Sequence, residues 1–156
     1  MKLVIKLLLI LLILKTSFGV VISRSNEKDV KYEIKILEKI AEDITHKSLI
    51  KVYVIGYDKK KIKNFSNHFK LVEQIDDADI VIVNKYKKIH QLRNKIILTT
   101  DFSLLKEIPE SIGALYWKKG RPHIIFIKER LKDYNIKLSN EYKRFIVSEK
   151  EIYSTW

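Results

Sequence analysis

At 156 residues the chain has the length of one domain, and 46% hydrophobic with 32% charged residues sets it among folded globular proteins and not disordered ones. Its 31 basic and 19 acidic side chains give a formal charge of +12, the sign that acidic ligands, anionic surfaces and nucleic acids respond to. The lack of cysteine excludes disulfides, thiolate metal sites, thiol catalysis and lipid attachment through cysteine.

Residues 1–19 read as a secretory signal. Lys2 gives a basic start, residues 7–14 are uninterruptedly apolar, and Ser17-Phe18-Gly19 offers small residues where a signal peptidase inspects them. Cleavage is expected near Gly19. The competing reading is a retained anchor, since Val20-Val21-Ile22 is again apolar; but Lys6 and Lys15 bracket eight residues, against the roughly 20 that a spanning helix needs. Loss of the segment leaves 28 basic and 19 acidic side chains, about +9. Export to the periplasm follows, and it removes nucleic acid from the expected partners.

Residues 20–29, polar from Ser23 onward, are expected to be a flexible start. The domain proper spans residues 30–147. Over 30–46, Ile34, Leu37, Ile40, Ala41 and Ile44 form one helical stripe, with Lys35, Glu38, Lys39, Glu42 and Asp43 assigned to water. A β-branched strand over 49–55 ends at Gly56, and Ile62, Phe65 and Phe69 then fall at helical spacing. Strand, glycine, helix is how phosphate-binding turns begin. Yet Gly56-Tyr57-Asp58 has a single glycine, without the glycine-rich cradle of nucleotide sites. Residues 71–75 read as a polar edge strand.

Asp76, Asp77 and Asp79 cluster as calcium ligands do, but the glycine and distant glutamate of an EF-hand are missing, so a solvated turn before the strand at 80–83 is expected. A short helix over 85–92, a strand over 95–99, an exit turn at Thr100-Asp101-Phe102-Ser103 and a helical piece stopped by Pro109 follow. Residues 112–117 and 122–127 are apolar runs around Lys118-Lys119-Gly120-Arg121, a hairpin signal. Two trios, Ile127, Leu131, Tyr134 and Leu138, Tyr142, Phe145, each place one apolar face on a helix, the second with Ser139 at its N-cap. A polar tail covers 148–156, ending in Trp156. The succession predicts an α/β fold: a single layered domain with a mostly parallel sheet, a C-terminal β-hairpin and helices on both faces.

The order of Ile112-Gly113-Ala114, Gly120-Arg121, Ile124-Ile125-Phe126-Ile127 and Ile136-Lys137-Leu138-Ser139 resembles the C-terminal signature of the YfiR-like periplasmic proteins. The resemblance implies a regulator that docks on the extracytoplasmic part of an inner-membrane sensor, of diguanylate cyclase type, and represses it. Without cysteine, the redox control of some relatives is not implied.

The residues themselves point to binding and not catalysis. His46, His68, His90 and His123 are at least 22 positions apart, and neither H-E-x-x-H nor G-x-S-x-G occurs. No cofactor or metal is expected. Three basic clusters, Lys59-Lys60-Lys61 with Lys63, Lys85-Lys87-Lys88, and Lys118-Lys119 with Arg121, are either a solvated surface or a site for an anionic ligand or surface. For a protein partner, Trp117, Lys118 and Arg121 at the hairpin tip are the candidate contacts, combining aromatic and arginine chemistry. The second reading is a periplasmic module for a small solute or anion; a homodimer is compatible with either.

Overall fold

The computed structural model describes residues 27–85, 92 and 94–154. The expected signal segment, most of the flexible start, nearly all of the helix expected over 85–92, and Trp156 lie outside the described residues. No helix among the described residues is long and apolar enough to cross a membrane.

The fold is α/β, built on one seven-stranded sheet flanked by helices. In chain order the elements are α1 (Glu27–Thr45), β1 (Ile50–Ile55), α2 (Lys59–Phe65), β2 (Phe69–Leu71), a 3-10 turn (Ile75–Asp77), β3 (Ile80–Val83) and β4 (Ile96–Thr99). Then come α3 (Leu104–Glu107), β5 (Ser111–Lys118), β6 (Arg121–Ile127), α4 (Lys128–Asp133), a 3-10 helix (Asn140–Phe145), β7 (Ile146–Val147) and α5 (Glu149–Ser154). The strands lie in the order β2-β1-β3-β4-β5-β6-β7. The first five are mutually parallel, β6 runs antiparallel to β5, and the short β7 runs parallel to β6.

Alternation in the central strands explains their unbroken hydrophobicity. Ile80 and Ile82 enter the larger core under α1, with Ile34, Leu37, Val52 and Phe126, while Val81 and Val83 enter a second core with Ile97, Leu104 and Ile108. Both faces of the sheet are therefore covered, and a strand covered twice carries no polar side. The hairpin closes through Lys119 and Gly120 at φ 51° and 71°, the left-handed pair of a two-residue type I′ turn whose twist suits the strands. At Gly113 a Cβ would lie 2.4 Å from the Ile125 carbonyl oxygen, so the strands approach there only because the side chain is absent.

Several expectations are corrected. The first helix begins at Glu27, inside the segment expected to be flexible, and ends at Thr45, with His46 taking a left-handed cap (φ 55°). Its Glu38 does not face water; it is 4% exposed. The edge strand is Phe69–Leu71 and not 71–75, because Phe69 fills the core position and Ile75 starts the 3-10 turn. The last apolar helix is a 3-10 helix, and the Ser139 hydroxyl donates to Glu141 without capping it. The polar tail is helical over 149–154: Ile152 packs with Leu105, Ala114 and Ile127.

Candidate functional site

Parallel strands end together, and the loops leaving them gather at one pole of the sheet. In an open α/β sheet this is where ligands sit, at the point where successive connections diverge. Here β1 and β3 are neighbours while β2 lies beyond β1, so the divergence falls between β1 and β3. A cleft of about 640 Å³ lies over it, within the size range of small-molecule sites.

Its floor comes from the turns after β1, β3 and β4. Gly56 takes φ 68°, and a Cβ there would stand 2.8 Å from the Lys85 Cβ, so the loops after β1 and β3 touch through this glycine. The Asn84 amide donates to the Thr100 hydroxyl (2.7 Å), joining the β3 and β4 exits. Asp101 then accepts from the Ser103 backbone N–H and hydroxyl, both at 2.8 Å, which turns the chain toward α3.

One wall is aromatic and held by a single carboxylate. Glu33, on α1, accepts from the Tyr57 hydroxyl and from the Trp117 indole N–H, each at 2.6 Å. Burial, reinforced by the Glu33 carboxylate, pushes the Tyr57 hydroxyl far above the ordinary tyrosine range, so it stays a donor at any physiological pH. Opposite stand Phe102 and Tyr116, ring centroids 5.2 Å apart, with Tyr116 stacked in turn on His123. Burial raises the Tyr116 hydroxyl as well.

The charged lining divides by function. Glu33 clamps the aromatic wall, Asp58 accepts from the Lys60 N–H to cap α2, and Asp101 shapes its own turn. Among the described residues its cations are Lys61, Lys85 and Lys118. Each comes from a different one of the three basic clusters in the sequence, and the sheet brings them to one place. Lys61 also rests over the Tyr57 ring, its Nζ 6.0 Å from the centroid.

Of the hairpin-tip residues, Trp117 and Lys118 line this cleft, Trp117 half-buried against α1. Arg121 pairs across from Lys118 in the hairpin register and stays exposed, outside the cleft. Sequence reasoning passed over Glu33 and Asn84. The one available signal was Glu33 beside the apolar stripe, an acid at the edge of a buried face.

Of the three aspartates before β3, Asp79 fastens the fold. Asp79 accepts from Lys47 Nζ (2.5 Å) and the Lys51 N–H (2.8 Å), fastening the start of β3 to β1. Among the described residues no three histidines or carboxylates are grouped to hold a metal ion. His123 is exposed on β6. No family model matches this chain, and no curated protein matches it.

Proposed function

We propose that this chain is an exported, non-enzymatic binding module that takes a small anionic solute into the cleft at the strand ends. The observation that carries this reading is the convergence of Lys61, Lys85 and Lys118 on one cleft, where Glu33, Asp58 and Asp101 keep their charge but each directs an acceptor oxygen into internal hydrogen bonds and not toward the lysines. Lysine ammonium groups supply charge without fixed geometry. The aromatic wall adds apolar contact and excludes water, which strengthens each charge-assisted bond.

Thermal shift with inorganic phosphate, citrate and benzoate tests it. A ligand of the folded state must raise the melting temperature as its concentration passes its dissociation constant. At least one of the three anions is expected to do so, and Lys61→Gln with Lys85→Gln is expected to weaken binding about tenfold or more, the loss of one or two charge-assisted hydrogen bonds. Melting curves that none of the three moves, or that move equally in the double variant, would remove this reading.

A second reading follows from the hairpin end. The I′ turn holds exposed Lys118, Lys119 and Arg121 beside Trp117 on a rigid support. The resemblance to YfiR-like proteins makes an inner-membrane sensor the partner, with repression arising from tighter binding to its inactive conformation. Cross-linking of the tagged protein in its native envelope is expected to recover such a sensor, and Arg121→Glu to lose it. Recovery of none would leave the solute reading alone. The two readings share Trp117 and Lys118, so a bound solute and a docked partner would sense each other.

A further inference from the structure

The chain reverses sharply after α4. Asn135 adopts φ 54°, and the Ile136 N–H donates back to the Leu131 carbonyl (2.9 Å), fixing the following loop over the edge of the sheet. Between that loop and α4 lies a second hollow of about 750 Å³. Its floor is aliphatic: Leu131, Ile136, Leu138 and Ile146, of which the last three are half-exposed at the fringe of the main core. Among the described residues no aromatic ring lines it.

Its rim is basic. Lys128 and Lys132 stand one helical turn apart on α4, and Lys137 faces them from the loop. The one acid of the lining among the described residues, Glu129, has an oxygen occupied by the Glu149 N–H (2.7 Å), at the start of α5. Because β6 is antiparallel, α4 leaves the sheet at the pole opposite the cleft. The groove is thus a separate place with its own chemistry.

We propose that this groove binds a single-chain anionic amphiphile of the long-chain carboxylate class, the chain along the aliphatic floor and the carboxylate among the three lysines. An aliphatic floor without rings or hydrogen-bonding side chains, apart from Asn135, suits a methylene chain. A basic rim whose acid is engaged elsewhere selects a negative head. An acidic amphipathic helix is the poorer fit, since it docks through anchors repeated over two turns and four floor side chains offer no such strip.

The test is titration calorimetry of the full chain with dodecanoate below its micelle-forming concentration. Dodecanol and dodecyltrimethylammonium serve as neutral and cationic counterparts. Saturable 1:1 binding of dodecanoate is expected, with the cationic amphiphile about tenfold weaker or more, as expected when attraction to the rim becomes repulsion. Leu138→Asp places a carboxylate on the floor and is expected to abolish binding; Lys128→Glu with Lys132→Glu is expected to weaken it about tenfold by the same reversal. The cleft variant Lys85→Gln should bind dodecanoate like the parent. Should Leu138→Asp fail to fold, Leu138→Ser and the exposed lysine pair give the same discrimination. No saturable binding, equal binding of the cationic amphiphile, or binding unchanged in the lysine pair would overturn the proposal. So would retention on anionic phosphatidylglycerol vesicles without dodecanoate binding, which would make the groove a membrane contact.

Discussion

Arg130→Met is expected to lower the unfolding free energy by about 3–5 kcal/mol, the range for removing one member of a buried hydrogen-bonded charge pair. Arg130 is 4% exposed, yet its guanidinium is fully engaged. It donates to both carboxylate oxygens of Glu149 (2.8 and 2.5 Å) and to the carbonyls of Leu105 (2.9 Å), Ile108 (3.2 Å) and Ser111 (2.9 Å). One planar fork thereby ties the end of α3, the start of β5 and the first turn of α5 to α4, a role lysine's point charge does not reproduce. Methionine retains the stem but withdraws a charged donor from three inward carbonyls, of which Ile108 keeps the Ser111 N–H (3.0 Å) and hydroxyl (2.7 Å). Glu149 is about one-third exposed, so water replaces part of what it loses, and Glu149→Gln is expected to be milder than Arg130→Met. Urea unfolding of the two variants measures both; equal, small losses would show that the carbonyl contacts carry no weight.

This arginine also marks where sequence reading stops. The strands were legible because their signal is local: residues 80–83 and 112–117 carry the apolar runs of doubly covered strands, and Lys119-Gly120 carries the turn. Lys128–Asp133, by contrast, reads as a short charged helix in which one arginine looks as solvated as its lysine neighbours. Its burial is decided by carbonyls from residues 105–111, about twenty positions away, and no periodicity encodes that. The segment after Val147 misled for a similar reason. Five of its six helical residues are polar or exposed, and only Ile152 reports the docking face. The cleft was half legible. Its lysines were visible as three clusters, but that one lysine of each cluster meets the others follows from strand order, which places the ends of β1, β3 and β5 at one pole. Glu38 was the most recoverable miss. It stands four residues after Ile34 and three before Ala41, inside the arc of the buried stripe, where an acid calls for a buried partner.

Those partners make Glu38 an acid-sensitive joint. One carboxylate oxygen accepts from the Ser66 hydroxyl (2.6 Å) and from the N–H groups of Asn67 (3.1 Å) and His68 (3.2 Å); the other accepts from Lys35 Nζ (2.9 Å). Ser66 in turn accepts from the Phe69 N–H (2.9 Å), so α1 dictates the path from α2 into β2. Burial pushes the Glu38 carboxyl upward, but Ser66, Lys35 and the His68 N–H together outweigh it and hold the group below the ordinary glutamate value. Asp43, against Lys39 and Tyr142, and Asp79, against Lys47 and Lys51, are likewise held low despite burial. A group whose folded pKa lies below its unfolded one binds fewer protons when folded, so stability rises with pH across that interval. The contribution is complete above the ordinary carboxylate values of about 4 and is lost as pH falls through the lower folded values. Urea midpoints of the parent should therefore be level from neutral pH down to about 5 and fall steadily below about 4. Glu38→Ala leaves one hydroxyl and two backbone donors without their acceptor and is expected to lose about 2–4 kcal/mol at pH 7. Glu38→Gln keeps an acceptor oxygen toward Ser66 but gives up the charge. It should lose about half as much and show a shallower acid slope, the remaining slope belonging to Asp43, Asp79 and Glu151, the last held low by the Ser148 N–H and hydroxyl. A Glu38→Gln slope identical to the parent's would assign the acid sensitivity to Asp43, Asp79 and Glu151 and leave Glu38 a purely structural acceptor.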